Sequence, residues 1–398
     1  MSDSIVITGA GLVTPLGTGR DSVWQALLAG ESGVRQLLDD DPRLARGVDP
    51  DRRMRAVFGG FVKGFQPREI IRSRQLRRMD WISRLITAST RLAVADAAAE
   101  ETIAAAPTRV AIVAGSCFGP QRETQEYMDR VLERGIGSGQ PFLFPNLVLN
   151  AASGWAAIEL GVQGPNLMVS AHEASGEIAI VTALDLLQAD QVDLVIACAA
   201  EEFGDVLTGA LHDLRLLDPR CLPEGGADGP QHDHIVPGEG GAALVLERES
   251  RARERGQRPL ATLADATSFA TEGARAHSFS RAAETTADIA QWLGSRRPRA
   301  LVGGTAGGRA RSALDDALRA TLGVDRFIGL RDSVGESASA GVLAAALAAL
   351  ACSSGRWPGL AIDTPTRQAP TFGDGILVVG AGRSGLVAPL LITSAPPA

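Results

Sequence analysis

Two stretches of this chain follow one plan. In NLMVSAHEASGEIAIVTALDLLQAD, residues 166–190, an apolar run ends in small residues and a helical pattern starts at once. In FIGLRDSVGESASAGVLAAALAALA, residues 327–351, the same succession returns. A strand that turns directly into a helix is an elbow, and its tip sits beside unpaired N–H groups that favour negative charge. The first tip is Glu173, flanked by His172 and Ala174, and the second lies near Glu336. Such tips often carry a nucleophile, so a carboxylate there needs an explanation.

The surrounding sequence repeats the same alternation. SIVITGAGLVTPLG reads as a buried strand and a Gly-rich turn, and DSVWQALLAG as a helix with Asp21 as N-cap and Gly30 as stop. RRMDWISRLITASTRLAVADAAAE reads as a long amphipathic helix. TRVAIVAGS, NLMVS and VDLVIACAAEE read as strands, and GGAALVLERESRARERG as a strand and a charged helix. The segment from Pro223 to Pro237 reads as loop. RALVGGTAGG, ALDDALRATLG and GILVVGAGRSG continue the alternation in the second half. Strands alternating with helices predict an α/β architecture. Two matching halves without a low-complexity linker predict one internally duplicated unit, divided into residues 1–248 and 249–398.

Composition narrows the function. The 398 residues carry a formal charge of −7, with no basic excess to neutralise phosphates, so a nucleic-acid partner is not expected. The G-x-G of GAGLVT lacks a third glycine and a following acidic residue, which argues against a dinucleotide site. Cys117, Cys198, Cys221 and Cys352 show no C-x-x-C spacing, so reduced thiols in a cytoplasmic protein are expected, without zinc or disulfides. His232 and His234 have H-x-H spacing but lack a third ligand nearby, so they read as a solvated turn. AGVLAAALAALA is too short to span a bilayer, and no signal peptide is evident at the N-terminus. No cofactor, metal or membrane partner is expected.

The arrangement resembles the β-ketoacyl-[acyl carrier protein] synthases, the elongating ketosynthases of the thiolase superfamily. The opening IVITGAGLVTPLGTGRDSVWQALLAGESGV, then RRMDWISRLITASTRLAVADA, FPNLVLNAASGWAAIELGVQGPN and VPGEGGAALVLERESRARERG are similar to that family's landmarks in order. The resemblance implies a thiolase fold, five-layered α-β-α-β-α, built from two pseudo-symmetric halves, and dimeric assembly. It also implies a lost reaction centre. Active members carry Cys at the elbow, in a T-A-C-A/S-S-G context, with two histidines. Here Glu173 stands at the cysteine position, Gly303 at the first histidine, and Arg331 and Glu336 at the lysine and second histidine. Ala381 and Arg383 stand where a gating Phe and a Gly would be. Glycine has no side chain for acid–base work, and an ionised carboxylate cannot donate to an oxyanion.

Three functions follow as expectations. The first is a non-condensing, chain-length-factor-like subunit. It would pair as a heterodimer with a Cys-bearing β-ketoacyl synthase and work with an acyl carrier protein. The second is a stand-alone decarboxylase, hydrolase or acyltransferase using Glu173 with His172, its carboxyl pKa raised. The third is an acyl- or carrier-protein-binding module. The arginines Arg72, Arg74, Arg77 and Arg78 at a helix start are either a solvated face or a dock for an acidic carrier or partner. Cys117, in GSCFG, reads as a buried inert thiol without a base or positive charge nearby.

Overall fold

The computed structural model describes residues 3–36, 58–218, 234–271, 282–303, 309–358 and 372–396. Ten strands form the continuous path of its twelve-stranded main sheet, two short strands pairing at its side. The first five are β1 (Ile5–Thr14), β2 (Val110–Gly115), β3 (Asn166–Val169), β4 (Leu194–Glu201) and β5 (Gly240–Arg248). The second five are β6 (Ala261–Ala266), β7 (Ala300–Gly303), β8 (Arg326–Gly329), β9 (Ile376–Ala381) and β10 (Leu386–Ser394). Their spatial order is β3-β2-β4-β5-β1 in one arm and β8-β7-β9-β10-β6 in the other. Each arm therefore runs third, second, fourth, fifth, first. Each also pairs its first three positions in parallel and its last three antiparallel. The arms meet where β1 pairs antiparallel with β6, Val6 opposite Thr262. The duplication expected from the elbows is thus written into strand order.

The principal helices are α1 (Arg20–Leu28), α2 (Trp81–Asp96), α3 (Gln121–Arg134), α4 (Ala151–Leu160), α5 (Ser175–Gln188), α6 (Asp205–Asp213), α7 (Ala282–Leu293), α8 (Arg309–Leu322) and α9 (Ser339–Ser354). The two elbow helices, α5 and α9, pack on each other and on strands of both arms. α9 is buried from Ser339 to Ala351, which explains its all-round apolar sequence. Outside the sheet, α2 and α4 cover the first arm, and α7 and α8 cover the second. The layers are helix, sheet, helix, sheet, helix. Parallel strands buried on both faces need the near-continuous Val, Ile, Leu and Ala runs that the sequence shows.

Local chemistry corrects several expectations. Gly9 and Gly11 lie inside β1, not in a turn. A Cβ at Gly11 would sit 2.0 Å from the Ser89 carbonyl oxygen, so these glycines let β1 touch α2. Asp21 lies in the first turn of α1, where Gly19 is the N-cap, and it pairs with Arg20 at 2.8 Å. Gly30 follows the helix with φ +74°, as its stop position requires. α2 starts at Trp81, because Asp80 accepts the Ser83 N–H and caps it. Arg74, Arg77 and Arg78 belong to the 3-10 turn before it.

Candidate functional site: a closed elbow

Glu173 sits in the tight turn between β3 and α5. The turn is held by Ser175, whose hydroxyl donates to the His172 and Ser116 carbonyl oxygens and accepts the Ala171 N–H at 2.9 Å. His172 takes φ +52°, a left-handed backbone that throws its neighbour inward. Its own side chain is exposed, and among the described residues no hydrogen bond joins it to Glu173. The Glu173 partner is Arg383, from the turn between β9 and β10. One guanidinium nitrogen of Arg383 donates to Glu173 Oε1, and the Arg383 backbone N–H donates to Oε2 at 3.1 Å.

The chain of charge continues through the second elbow. Arg383 Nη2 donates to Glu336 Oε2 at 3.1 Å, and Arg331 Nε donates to Glu336 Oε1 at 2.9 Å. Arg331 Nη2 reaches Asp218 Oδ2 at 2.8 Å and the His234 carbonyl at 3.1 Å. Five groups from both halves thus alternate in sign: Glu173, Arg383, Glu336, Arg331, Asp218. Burial pushes the Glu173 carboxyl up, but the Arg383 guanidinium and the backbone N–H bonds outweigh it, and the pKa ends below the ordinary value. The expected raised pKa is therefore reversed, because the sequence could not show that Arg383 faces Glu173. Burial lowers the Arg383 pKa while Glu336 and Glu173 raise it, with a net rise.

Little space remains. Glu173, Glu336, Arg383, Glu201, Cys117 and Phe118 are among the groups enclosing a cavity of about 20 Å³. That holds one water molecule at most. Cys117 has charged neighbours after all. Burial, then Glu201 and Glu173, push its thiol up, and Arg383 only partly opposes them. The thiol stays protonated and is a poor nucleophile, so the expectation of an inert cysteine holds for a different reason. Glu201, fully buried at the end of β4, accepts the Cys117 N–H at 2.7 Å, the Phe118 N–H at 3.1 Å and the Ser116 hydroxyl at 3.1 Å. Burial raises its pKa to about 7. Sequence reasoning passed over Glu201 and its neighbour Glu202, although two acids ending an apolar strand were the available signal.

Other candidate positions fall elsewhere. Gly303 ends β7, where a Cβ would meet the Phe327 ring at 2.6 Å and Asp315 Oδ2 at 2.9 Å. Ala381 is buried in the apolar cluster beneath α7 and α8. Neither lines the elbow cavity. Arg72, Arg74, Arg77 and Arg78 are all exposed. Their segment is fixed to α4, because Glu159 accepts the Arg72 and Ser73 N–H groups at 2.8 Å. Cys221 and His232 lie outside the described residues. Among the described residues no group of three His, Cys, Asp or Glu side chains could hold a metal, and no helix is long and apolar enough to cross a membrane.

Residues 2–252 match the family model described as beta-ketoacyl synthase, N-terminal domain, and the chain belongs to that family. Over 255 residues it is 30% identical to 3-oxoacyl-[acyl-carrier-protein] synthase 2 of Coxiella burnetii, covering 63% of this chain and 59% of that protein. The chain thus spans about three fifths of the length of the curated relatives it matches. The ishigamide ketosynthase/chain length factor structure is similar over 100% of both chains, with TM-score 0.82 and 20% identity. A type II PKS acyl-carrier protein in complex with its ketosynthase bound to the hexaketide gives TM-score 0.73 and 18% identity, over 99% of this chain and 100% of that one. These likenesses show the fold, a mixed α/β thiolase-like ketosynthase fold.

Proposed function

We propose that this chain is a non-condensing ketosynthase-like subunit of the chain-length-factor type. It pairs in the cytoplasm with a Cys-bearing β-ketoacyl synthase and takes part in polyketide, aryl-polyene or fatty-acid-like chain elongation on an acyl carrier protein. The carrying observation is the Glu173–Arg383–Glu336 bridge. A condensing centre needs a nucleophile, groups that donate to an oxyanion, and room for an acyl chain. This elbow has an ionised carboxylate, a second carboxylate and a guanidinium that occupies the space between them. The same bridge disfavours acid–base chemistry by Glu173 with His172, since a carboxylate held below its ordinary pKa is a weak base.

A surface on the first arm supports pairing. Among the described residues β3 ends the sheet with an unpaired edge, and α3 of the same arm buries none of its residues. Leu132, Ile136, Phe142, Phe144, Ile158 and Leu167 are exposed on this arm, Ile136 by 88%. A partner of the same fold would cover an open edge and an apolar face together. Arg72, Arg74, Arg77 and Arg78 flank α4 beside that face and suit an acidic carrier protein or the partner's rim. The test is co-expression with the Cys-bearing synthase encoded nearest to this chain, followed by native mass spectrometry. A one-to-one heterodimer is expected. A stable homodimer that ignores the synthase would overturn the proposal.

A further inference from the structure

Glu177 takes no part in the closed elbow. It lies in the first turn of α5 and is wholly buried, and neither carboxylate oxygen has a hydrogen-bond partner among the described residues. Two glycines from the second half make room for it. A Cβ at Gly341, on α9, would sit 2.2 Å from Glu177 Oε2, and one at Gly380, on β9, would sit 2.4 Å from Glu177 Cδ. The adjacent Gly176 lets α5 approach α9 so closely that a Cβ there would lie 2.4 Å from the Ala338 carbonyl oxygen. Glu177 is therefore an acid wedged in the seam between the halves, one turn beyond the elbow tip.

The groups facing it offer little charge. α9 and β9 present Gly341 and Gly380. β2, β4, β5 and β10 contribute Val113, Ala199, Leu244 and Leu390 to the apolar cluster around α5. Glu173, on the turn before, is committed to Arg383. Glu201 is bonded to the turn at Ser116–Phe118. Among the described residues the one cation acting on Glu177 is Arg311 of α8. Arg311 is itself engaged, its Nε with Asp315 at 3.0 Å and its Nη2 with the Val379 carbonyl at 2.9 Å.

We infer that Glu177 is a proton-binding site at the seam, and that losing its proton loosens the elbow helix α5 from α9 and β9. A neutral acid fits a dry pocket lined by glycine and apolar groups, whereas a carboxylate without donors must admit water. Burial raises the Glu177 pKa to about 7, with only partial opposition from its own nearby backbone N–H and from Arg311. The sign follows. Between the unfolded value near 4.5 and the folded value, the native state holds a proton that the unfolded chain has released. The stabilising effect of that proton is full below the unfolded value and is lost as pH rises through the folded one. The folding constant should fall across that window by roughly two orders of magnitude from this group.

The experiment compares the full chain with Glu177→Gln from pH 5.5 to 8.5, by denaturant unfolding and by hydrogen exchange. Near pH 6 the slope of the log folding constant against pH should be smaller in Glu177→Gln by about one proton. Corrected exchange in residues 175–180 and 339–345 should rise about ten-fold or more between pH 6 and 8.5 in the parent and stay level in the variant. If the glutamine variant does not fold, Glu177→Met reads the same two quantities. Equal slopes would overturn the proton site. A changed slope with level exchange in the parent would overturn the loosening.

Discussion

Replacing Arg383 by Met keeps the apolar stem and removes the head that joins the elbows. The head pairs with Glu173 and, at 3.1 Å, with Glu336. Charge-assisted hydrogen bonds contribute about 1.5–3 kcal/mol each. Removing one partner of a buried pair costs about 3–5 kcal/mol. The two carboxylates do not lose equally. Glu336 keeps Arg331 at 2.9 Å and the Val236 N–H at 3.2 Å. Glu173 keeps only the residue-383 backbone N–H as a partner from that turn, while its side chain remains 14% exposed. The loss at pH 7 should therefore fall at the lower end, about 3 kcal/mol. In the parent, the depressed Glu173 pKa contributes stability above its unfolded value, and that stability is lost as pH falls through the folded value. In the variant only backbone N–H groups still oppose burial, the Glu173 pKa rises, and the deficit should shrink towards pH 5. Urea unfolding at fixed protein concentration, at pH 7 and pH 5, measures both effects. Adding Glu173→Gln should recover more than about 1 kcal/mol in a double-mutant cycle. A loss below about 1 kcal/mol, or an additive cycle, would refute the bridge as the fastening of this site.

Other outcomes follow from the same geometry. Glu173→Cys should gain no condensing activity, since Gly303 and Glu336 stay unsuited and Arg383 still fills the cavity; intact mass after exposure to an acyl carrier substrate should show no acyl adduct, and a β-ketoacyl product would contradict the reading. Gly11→Ala should destabilise by about 3 kcal/mol, because its Cβ would meet the Ser89 backbone oxygen at 2.0 Å, and thermal unfolding reads the loss. Glu202, whose pKa burial raises to about 8, stabilises only while protonated. Glu202→Gln should gain about 1 kcal/mol or more over the parent at pH 8.5 and much less at pH 5, while an equal effect at both would show that Glu202 is ionised throughout.

The repeated elbows were legible because strand and helix each leave a periodic mark, and a sharp turn leaves small residues at its tip. The family landmarks were legible for the same reason, being local strings. The expected duplication appears in the strand order of the two arms, and the expected layers in the packing of the elbow helices and the covering helices against them. Errors arose where local and tertiary causes share one signal. Gly9 and Gly11 look like a turn in sequence, yet they are glycine because α2 lies against β1. Asp21 looks like a cap, but the helix starts at Arg20 and Gly19 takes that place.

The sequence by itself determined the α/β alternation, the duplication, and the family landmarks that carry the resemblance. Those are properties of residues along the chain. Only the tertiary structure decided which groups meet at the elbows. Glu173 and Arg383 stand 210 positions apart, and no periodicity or spacing links them. Their pairing needs both arms of the sheet to bring the first elbow, the second elbow and the β9–β10 turn to one point. At that point the Arg383 guanidinium and backbone N–H bonds hold the Glu173 pKa down against burial, while burial holds the Glu177 pKa up beside two glycines.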